Sequence, residues 1–502
     1  MTVAAFALSS LSSSPLRVRS FKEDLRGQRV AVVGLGNSGR AAIDLALARG
    51  ASVLAIDKNE QLMPLENDSQ FSGNACLQTI LGHCDTSLLA NADRIVVSPG
   101  VSLEEFGLST LLQSGRRVMS ELDFASEPLP ESIKILAITG TNGKSTVTNF
   151  AGQMLHNVGI EAFVGGNLGT PLSKAAKQCL EAPTQRQPYQ VAVVEVSSYQ
   201  MEIPNQHFSP SVAVVLNLTP DHLERHKTME NYALMKCSLF SHMKDGRLAV
   251  LPQGNDFIND AFGKKARECN VAWIGDLPGI KVDAAAKVAT FKFPSSELVT
   301  NLQLGTLKAM GTHNFINAAV AAFSVLGLDV GIDNDSIHNT IESLTLLPHR
   351  MQIVCRDAHG VTWVDDSKAT NVESTFTGLM GLKEHKLVVL LGGLAKVMSG
   401  NVSNGFEKLV ELLNDHRGVI TFGSSGEMIY KTLCDSGLST PCVQATNLEG
   451  AVNCARSMAR SGDTVLLSPG CASFDEFRNF EHRGQVFQKL ALSSSETLPL
   501  PL

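Results

Sequence analysis

Short apolar runs alternate with stretches of helical spacing along most of this chain. The segment RVAVVGLGNSGRAAIDLALARGASVLAID, Arg29 to Asp57, shows the pattern first. An apolar run breaks at glycines, apolar residues then recur every three or four positions, and a second run follows. That order predicts strand, glycine turn, helix and strand. Further runs at RIVVSPG (Arg94 to Gly100), AITG, VAVVEVSS and SVAVVLNLTPDH predict strands separated by helices, the pattern of α/β folds with largely parallel sheets. Alternation from Val282 to Leu304 predicts hairpins instead. The strand–helix rhythm resumes through VTWVDDS, KLVVLLGG, GVITFG and DTVLLSPG. Acidic, proline-rich SEPLPES (Ser126 to Ser132) reads as a linker and LPHR (Leu347 to Arg350) as a second boundary, which makes three modules.

Composition agrees with that division. A chain of 502 residues has room for roughly three domains of about 150 residues each. Hydrophobic content of 44% against 18% charged supplies ample core for a globular protein. A net charge of −7 without a basic stripe argues against nucleic-acid or membrane-surface binding. No apolar run reaches the roughly 20 residues of a membrane span. The 10 cysteines lack C-x-x-C spacing, so reduced thiols in a reducing compartment are expected. Met1 to Lys22 has no Asp or Glu, is rich in Ser and Ala, and carries Arg17 and Arg19. It reads either as an organellar transit segment or as a tail.

Two glycine turns carry candidate chemistry. Gly34-x-Gly36-x-x-Gly39 follows a strand, opens a helix, and has Asp57 at the end of the next strand. It fits a pyrophosphate at a helix N-terminus, whether of NAD, FAD or UDP, or a purely structural turn. The second, AITGTNGKST (Ala137 to Thr146), is a shortened phosphate loop: the longer form requires glycine where Ile138 stands. Gly140, Thr141, Asn142 and Gly143 with Lys144 are expected to hold phosphates, and Ser145 or Thr146 a magnesium ion. Glu195 ends the strand VAVVEV, where a second magnesium ligand or a simple cap belongs. His222 and His226 stand four apart, yet no third ligand at metalloenzyme spacing follows, so zinc is rejected and a single imidazole at a magnesium site is preferred. HNFIN supplies His313, Asn314 and Asn317 at a helix start, as caps or ligands. Lys236, in NYALMKCSLF, is a snorkelling lysine or, beside metal ions, one whose charge is reversed by carbamylation.

Taken in order, GTNGKST, GGNLGTP, VEVSSYQ, NLTPDHLERH, YALMK, GTHNFINAAVA, LPHRMQ and DDSKATN resemble the ATP-dependent Mur ligases, relatives of folylpolyglutamate synthetase. VVGLGNSG, VVSPGV and SPGCASFDEFRNFEHRG resemble the branch that adds D-glutamate. The resemblance implies a three-domain α/β chain after a tail over 1–25: a Rossmann-like UDP-substrate domain (26–130), a central P-loop mononucleotide-binding ATPase fold (131–346) and a C-terminal Rossmann-like amino-acid domain (347–502). It implies ATP, two magnesium ions, UDP-MurNAc-L-alanine and D-glutamate as ligands, a monomer, and peptidoglycan precursor synthesis through an acyl phosphate. By motif, Asn37, Ser38, Asp57, Lys58 and Ser98 meet the UDP half of the substrate and Asn167 its muramoyl-alanine half. Lys144, Ser145, Thr146, Glu195 and His222 hold ATP and metal, with Lys236 as the bridging carbamate. Asn314, Asn317, Arg350 and Asp366 surround the nucleotide; Thr370, Lys396, Ser473 and Phe480 receive D-glutamate. The turn Leu394-Ala395-Lys396 departs from the more polar or glycine-rich bacterial turn, and the serine-rich start points to a plastid stroma in a plant or alga, otherwise to cytoplasm. A nicotinamide oxidoreductase would leave the second loop unexplained, and a catalytically silent structural partner would not be expected to keep Lys144, Glu195, His222, Lys236, Arg350 and Asp366 together.

Overall fold

The computed structural model describes residues 24–83, 86–167, 169–183, 186–265, 268–309, 311–395, 404–493 and 497–498. Most of the serine-rich start and the expected D-glutamate ligand Lys396 lie outside them. The chain forms two compact units, Met1–Pro130 with Pro171–Pro188, and Glu131–Thr170 with Tyr189–Leu502.

The first unit holds a parallel sheet of β1 (Arg29–Val33), β2 (Ser52–Asp57), β3 (Leu77–Leu81), β4 (Arg94–Val97) and β5 (Val118–Ser120). Their order, β3-β2-β1-β4-β5, reverses direction between β1 and β4, the place where open α/β sheets bind ligands. The helix Asn37–Ala48 packs closely there because residue 39 is glycine: a Cβ on Gly39 would sit 1.8 Å from the Gly34 carbonyl oxygen. The helix Leu172–Glu181, which follows GGNLGTP in sequence, buries Leu172, Ala175, Ala176, Cys179 and Leu180 against the helices Asn37–Ala48 and Glu121–Ser126 of this unit. Its apolar face decides where it packs, and so a piece of the 131–346 stretch joins the first unit.

The stretch read as a linker is partly interior. Glu127 is buried and pairs with Arg49 at 2.8 Å, Arg94 at 3.2 Å and Arg117 at 2.8 Å. Burial alone would raise its pKa; the three guanidiniums outweigh burial and hold it below the usual range.

In the second unit one sheet contains β6 (Lys134–Thr139), β7 (Ala162–Gly166), β8 (Val191–Glu195), β9 (Val212–Val215), β10 (Leu248–Pro252), β11 (Asn270–Ile274), β12 (Gly279–Asp283), β13 (Val288–Lys292) and β14 (Val299–Gln303). The order is β14-β13-β12-β11-β10-β9-β6-β8-β7. Central β6, β8 and β9 are almost wholly buried, which is why they read as unbroken apolar runs. The expected hairpins are the antiparallel pairs β12–β13 and β13–β14. A second sheet contains β15 (Gln352–Asp357), β16 (Thr362–Asp365), β17 (Leu387–Gly392), β18 (Gly418–Phe422), β19 (Cys442–Gln444), β20 (Thr464–Gly470) and β21 (Thr497–Leu498), in the order β19-β18-β17-β20-β16-β15-β21. Its core lies on both faces, around Val389, Leu391 and Leu466 on one and Val388, Leu390 and Trp363 on the other.

Candidate active site

The strand β6 feeds Gly140–Gly143 and then the helix Lys144–Asn157. Gly140 takes φ of 150°, and a Cβ there would lie 2.9 Å from that of Leu216 on the neighbouring chain segment. Only glycine lets the loop pass. The N–H groups of Thr141 and Asn142 donate to Asn217 Oδ1 at 3.0 and 2.9 Å. The N–H groups left open to an anion are those of the first turn of the helix, which precede the intrahelical ladder. Asn217, the first residue of NLTPDH, was not among the residues expected from sequence to shape the loop.

Two lysines meet beneath this turn. Lys144 Nζ donates to the carbonyls of Gly140 and Thr141 at 2.9 and 2.8 Å. Lys236 is on the helix Met229–Cys237 and buried; its Nζ donates to the Gly140 carbonyl at 2.8 Å and lies 4.3 Å from the Tyr232 ring. Burial, then the charge of Lys144, lowers the pKa of Lys236 well below that of a free lysine. Lys236 is a buried group and not a surface lysine.

Glu195 closes β8 and is 3% exposed. Its Oε1 accepts from Asn167 Nδ2 at 3.3 Å, whereas Oε2 is buried without a hydrogen-bond partner. A bare carboxylate oxygen next to a phosphate loop suits a hard cation. His222 adopts a left-handed backbone, φ 53°, and its Nδ1 shares a 2.8 Å hydrogen bond with the Tyr199 hydroxyl, which leaves Nε2 on the other side of the ring, 3.5 Å from Asp221. His226 is separate: it stacks between the rings of Tyr199 and Tyr232 and bonds Ser198.

A cleft brings the expected nucleotide residues together. Asn142, Gly143, Thr146, Asn314, Asn317, Arg350 and Asp366 all line it. Arg350 donates to Ser145 Oγ at 2.8 Å, and burial lowers its pKa against the pull of Glu195 and Asp366. Burial pushes the Asp366 carboxyl up to about 7 even though Ser468 and the Met351 N–H bond it. Asn317 Nδ2 donates to Asn314 Oδ1 at 2.9 Å, and Ser374 Oγ to Asn142 Oδ1 at 2.9 Å. His313 also lines the cleft; burial lowers its pKa to about 4, so the ring is neutral at neutral pH. Lys368 was missed from sequence. It lines the same cleft, sits 3.7 Å over the Phe480 ring, and is lowered to about 8 by burial and then by Arg350. The signal was present in DDSKATN, where a lysine follows the paired aspartates.

The residues expected to meet UDP gather at the switch point of the first unit. Asn37 and Ser38 open the helix after the glycine turn. Ser98 Oγ donates to the Gly34 carbonyl at 2.7 Å. Asp57 uses both oxygens on backbone, accepting from the N–H of Leu35 at 2.7 Å and of Asn59 at 2.9 Å, so it shapes the turn. Exposed Lys58 pairs with Glu105 at 2.9 Å. Asn167 lies in the second unit, beside Glu195. Of the D-glutamate set, Ser473 is buried after β20, Thr370 follows β16 by a short turn, and Phe480 starts the helix Phe480–Leu492.

A phosphate loop at the head of one sheet, with an acid and two lysines around it, defines an α/β protein of the phosphate-loop class, and the first unit carries a glycine turn of its own. The chain belongs to the Mur ligase family. Residues 28–120 match the Mur ligase MurD-like N-terminal domain, 138–325 the Mur ligase middle domain, and 349–471 the Mur ligase glutamate ligase domain. The chain is 32% identical over 477 residues to the UDP-N-acetylmuramoylalanine–D-glutamate ligase of Koribacter versatilis, spanning 94% of this chain and 99% of that protein. It is 33% identical over 487 residues to the ligase of the same name from Caldanaerobacter subterraneus, spanning 93% and 99%. The crystal structure of MurF ligase from Thermotoga maritima in complex with ADP shares the fold, with a TM-score of 0.56 at 19% identity over 94% of this chain and 97% of that one.

Proposed function

We propose that this chain is a UDP-N-acetylmuramoyl-L-alanine–D-glutamate ligase that consumes ATP in peptidoglycan precursor synthesis. Near full-length identity of about a third to ligases of that name supports the reading. The observation that carries it is the convergence of Lys144 and Lys236 on Gly140, with Glu195, Arg350 and Asp366 around the same phosphate loop.

The chemistry follows from these groups. The substrate carboxylate attacks the γ-phosphorus of ATP, the bond to the β-phosphate oxygen breaks, and ADP leaves. Lys144, Arg350 and Lys368 offset the negative charge that this brings together. The D-glutamate amine then attacks the acyl carbon of the acyl phosphate, loses a proton, and expels phosphate to leave the amide. No protein nucleophile is required; positioning supplies much of the acceleration. Ser145, Glu195, His222 and Lys236 as a carbamate would hold two magnesium ions, and the bare Oε2 of Glu195 fits that role. When bound, such ions neutralise phosphate charge and polarise the γ-phosphoryl group. The depressed pKa of Lys236 favours carbamylation, since only the neutral amine adds to carbon dioxide.

Asn37, Ser38 and Ser98 are assigned to the UDP half, with Asp57 acting through the turn. Thr370, Lys396, Ser473 and Phe480 are assigned to D-glutamate, Lys396 as the cation for its distal carboxylate. A monomer completes the proposal, with a plastid destination in a plant or algal host, given the acid-free start, and cytoplasm otherwise; a fluorescent fusion of residues 1–25 in plant cells tests the former. Among the described residues no helix is long and apolar enough to cross a membrane. The decisive assay is ADP release. Beyond a single turnover it should require UDP-MurNAc-L-alanine and D-glutamate together, and sustained release with neither, or none with both, would refute the reading.

A further inference from the structure

Arg483 has no place in the chemistry above, yet it is fully buried on the helix Phe480–Leu492. Its guanidinium reaches three separate stretches of chain, at Ser367, Cys471–Ala472 and Gly392. Nε donates to Ser367 Oγ at 3.0 Å, and Nη2 to the Ser367 carbonyl at 2.8 Å and the Cys471 carbonyl at 3.1 Å. Nη1 donates to the carbonyls of Ala472 at 3.3 Å and Gly392 at 3.5 Å. Ser367 Oγ passes the link on, donating to the Phe480 carbonyl at 2.8 Å.

Two of these stretches lead into residues assigned to D-glutamate: Ser367 begins the turn to Thr370, and Ala472 precedes Ser473. Through Ser367 Oγ the same fork holds Phe480, where the helix starts. Backbone bonding reinforces the weld, with Leu394 and Ala472 exchanging hydrogen bonds at 2.9 and 3.0 Å. No local sequence signal would place these ends in register, because they leave different strands.

We infer that Arg483 is the positioning residue of the amino-acid site, a planar fork that sets the mutual register of the turns carrying Thr370, Ser473 and Phe480. The inference rests on the ligase reading above. Arginine suits the task because its rigid donors meet several acceptors at fixed angles, which a lysine ammonium cannot do. Its charge matters as well. Burial lowers the pKa to about 10, so the group stays cationic at neutral pH, and Asp475, Asp365 and Glu476 support that charge from beyond hydrogen-bond range. Its bonded partners are a hydroxyl and carbonyls, so the buried charge is held by dipoles fixed in orientation.

The test compares Arg483→Lys and Arg483→Met with the wild-type enzyme. A displacement of about 1 Å in such a site commonly costs about a hundredfold, so kcat/KM for D-glutamate should fall by about that factor, chiefly through KM. The KM values for ATP and UDP-MurNAc-L-alanine should stay unchanged, and acyl-phosphate formation without D-glutamate, trapped by borohydride reduction, should survive. Equal losses for all three substrates, wild-type values, or failure of both variants to fold would overturn the inference and assign Arg483 to general stability. Absence of D-glutamate-dependent turnover in the wild-type enzyme would instead defeat the ligase reading itself.

Discussion

Lys144 and Lys236 donate to one acceptor, the carbonyl oxygen of Gly140, at 2.9 and 2.8 Å. Two ammonium groups so close repel each other, and burial of Lys236 adds to the cost of its charge. The site favours the neutral amine more than water does, and addition of carbon dioxide to that amine, with loss of a proton, would place there an anion suited to metal ions.

The first prediction follows from that pair. Lys236→Ala should be nearly inactive and partly restored by acetate, which can occupy the vacated carboxylate position. Carbon-13 NMR of wild-type enzyme equilibrated with labelled bicarbonate should show a carbamate signal that Lys236→Ala lacks. An unmodified Lys236, seen by mass in fully active, metal-loaded enzyme, would sink the idea.

Lys144 has the opposite role and should keep its charge. Its removal strips a cation from the transferring phosphoryl group, so Lys144→Ala should lower kcat by about a hundredfold or more. The side chain is partly exposed, and the thermal midpoint should shift little. Near-normal turnover in single-turnover assays would mean that the loop does not hold the phosphates.

For the first unit, Asp57 makes a separable prediction. Both of its oxygens bind backbone N–H groups, of Leu35 and Asn59, so Asp57→Ala should lose about 1–3 kcal/mol of stability in denaturant titrations. The KM for UDP-MurNAc-L-alanine should rise as the glycine turn loosens, with the KM for ATP unchanged. A variant with normal stability and a normal KM would show that the turn holds its shape without the carboxylate.

Glu121 sets a pH dependence of stability. It is buried and accepts from the Ser173 N–H at 2.7 Å, while its Oε2 has no partner. Burial raises its pKa from 4.5 to about 7. A raised folded-state pKa gives a contribution to stability that is full below pH 4.5 and is lost as pH rises through about 7. Unfolding midpoints should therefore show a component declining across that window, and Glu121→Gln should remove it. An identical pH profile for the two proteins would refute the shift.

Local pattern determined a good deal by itself. The apolar runs marked β1, β6, β8, β9 and β17, because buried parallel strands need apolar residues on both faces. The hairpins after Gly279 followed from alternation. Both glycine turns could be read because a tight turn leading into a helix restricts residue type over only a few positions. Tertiary structure alone decided where distant segments meet. Arg350 bonds Ser145 across 205 positions, and Arg483 bonds Ser367 across 116. Lys368 reaches the cleft lined by Asn314, Asn317, Arg350 and Asp366, Asn217 takes the amides of the glycine loop, and the helix Leu172–Glu181 packs on the first unit. Periodicity reports which face of an element is buried and nothing about the surface that covers it. Buried polar groups such as Glu127 and Arg483 find their partners only when strands from different parts of the chain have been brought side by side, because removing them from water is tolerable only with those partners in place.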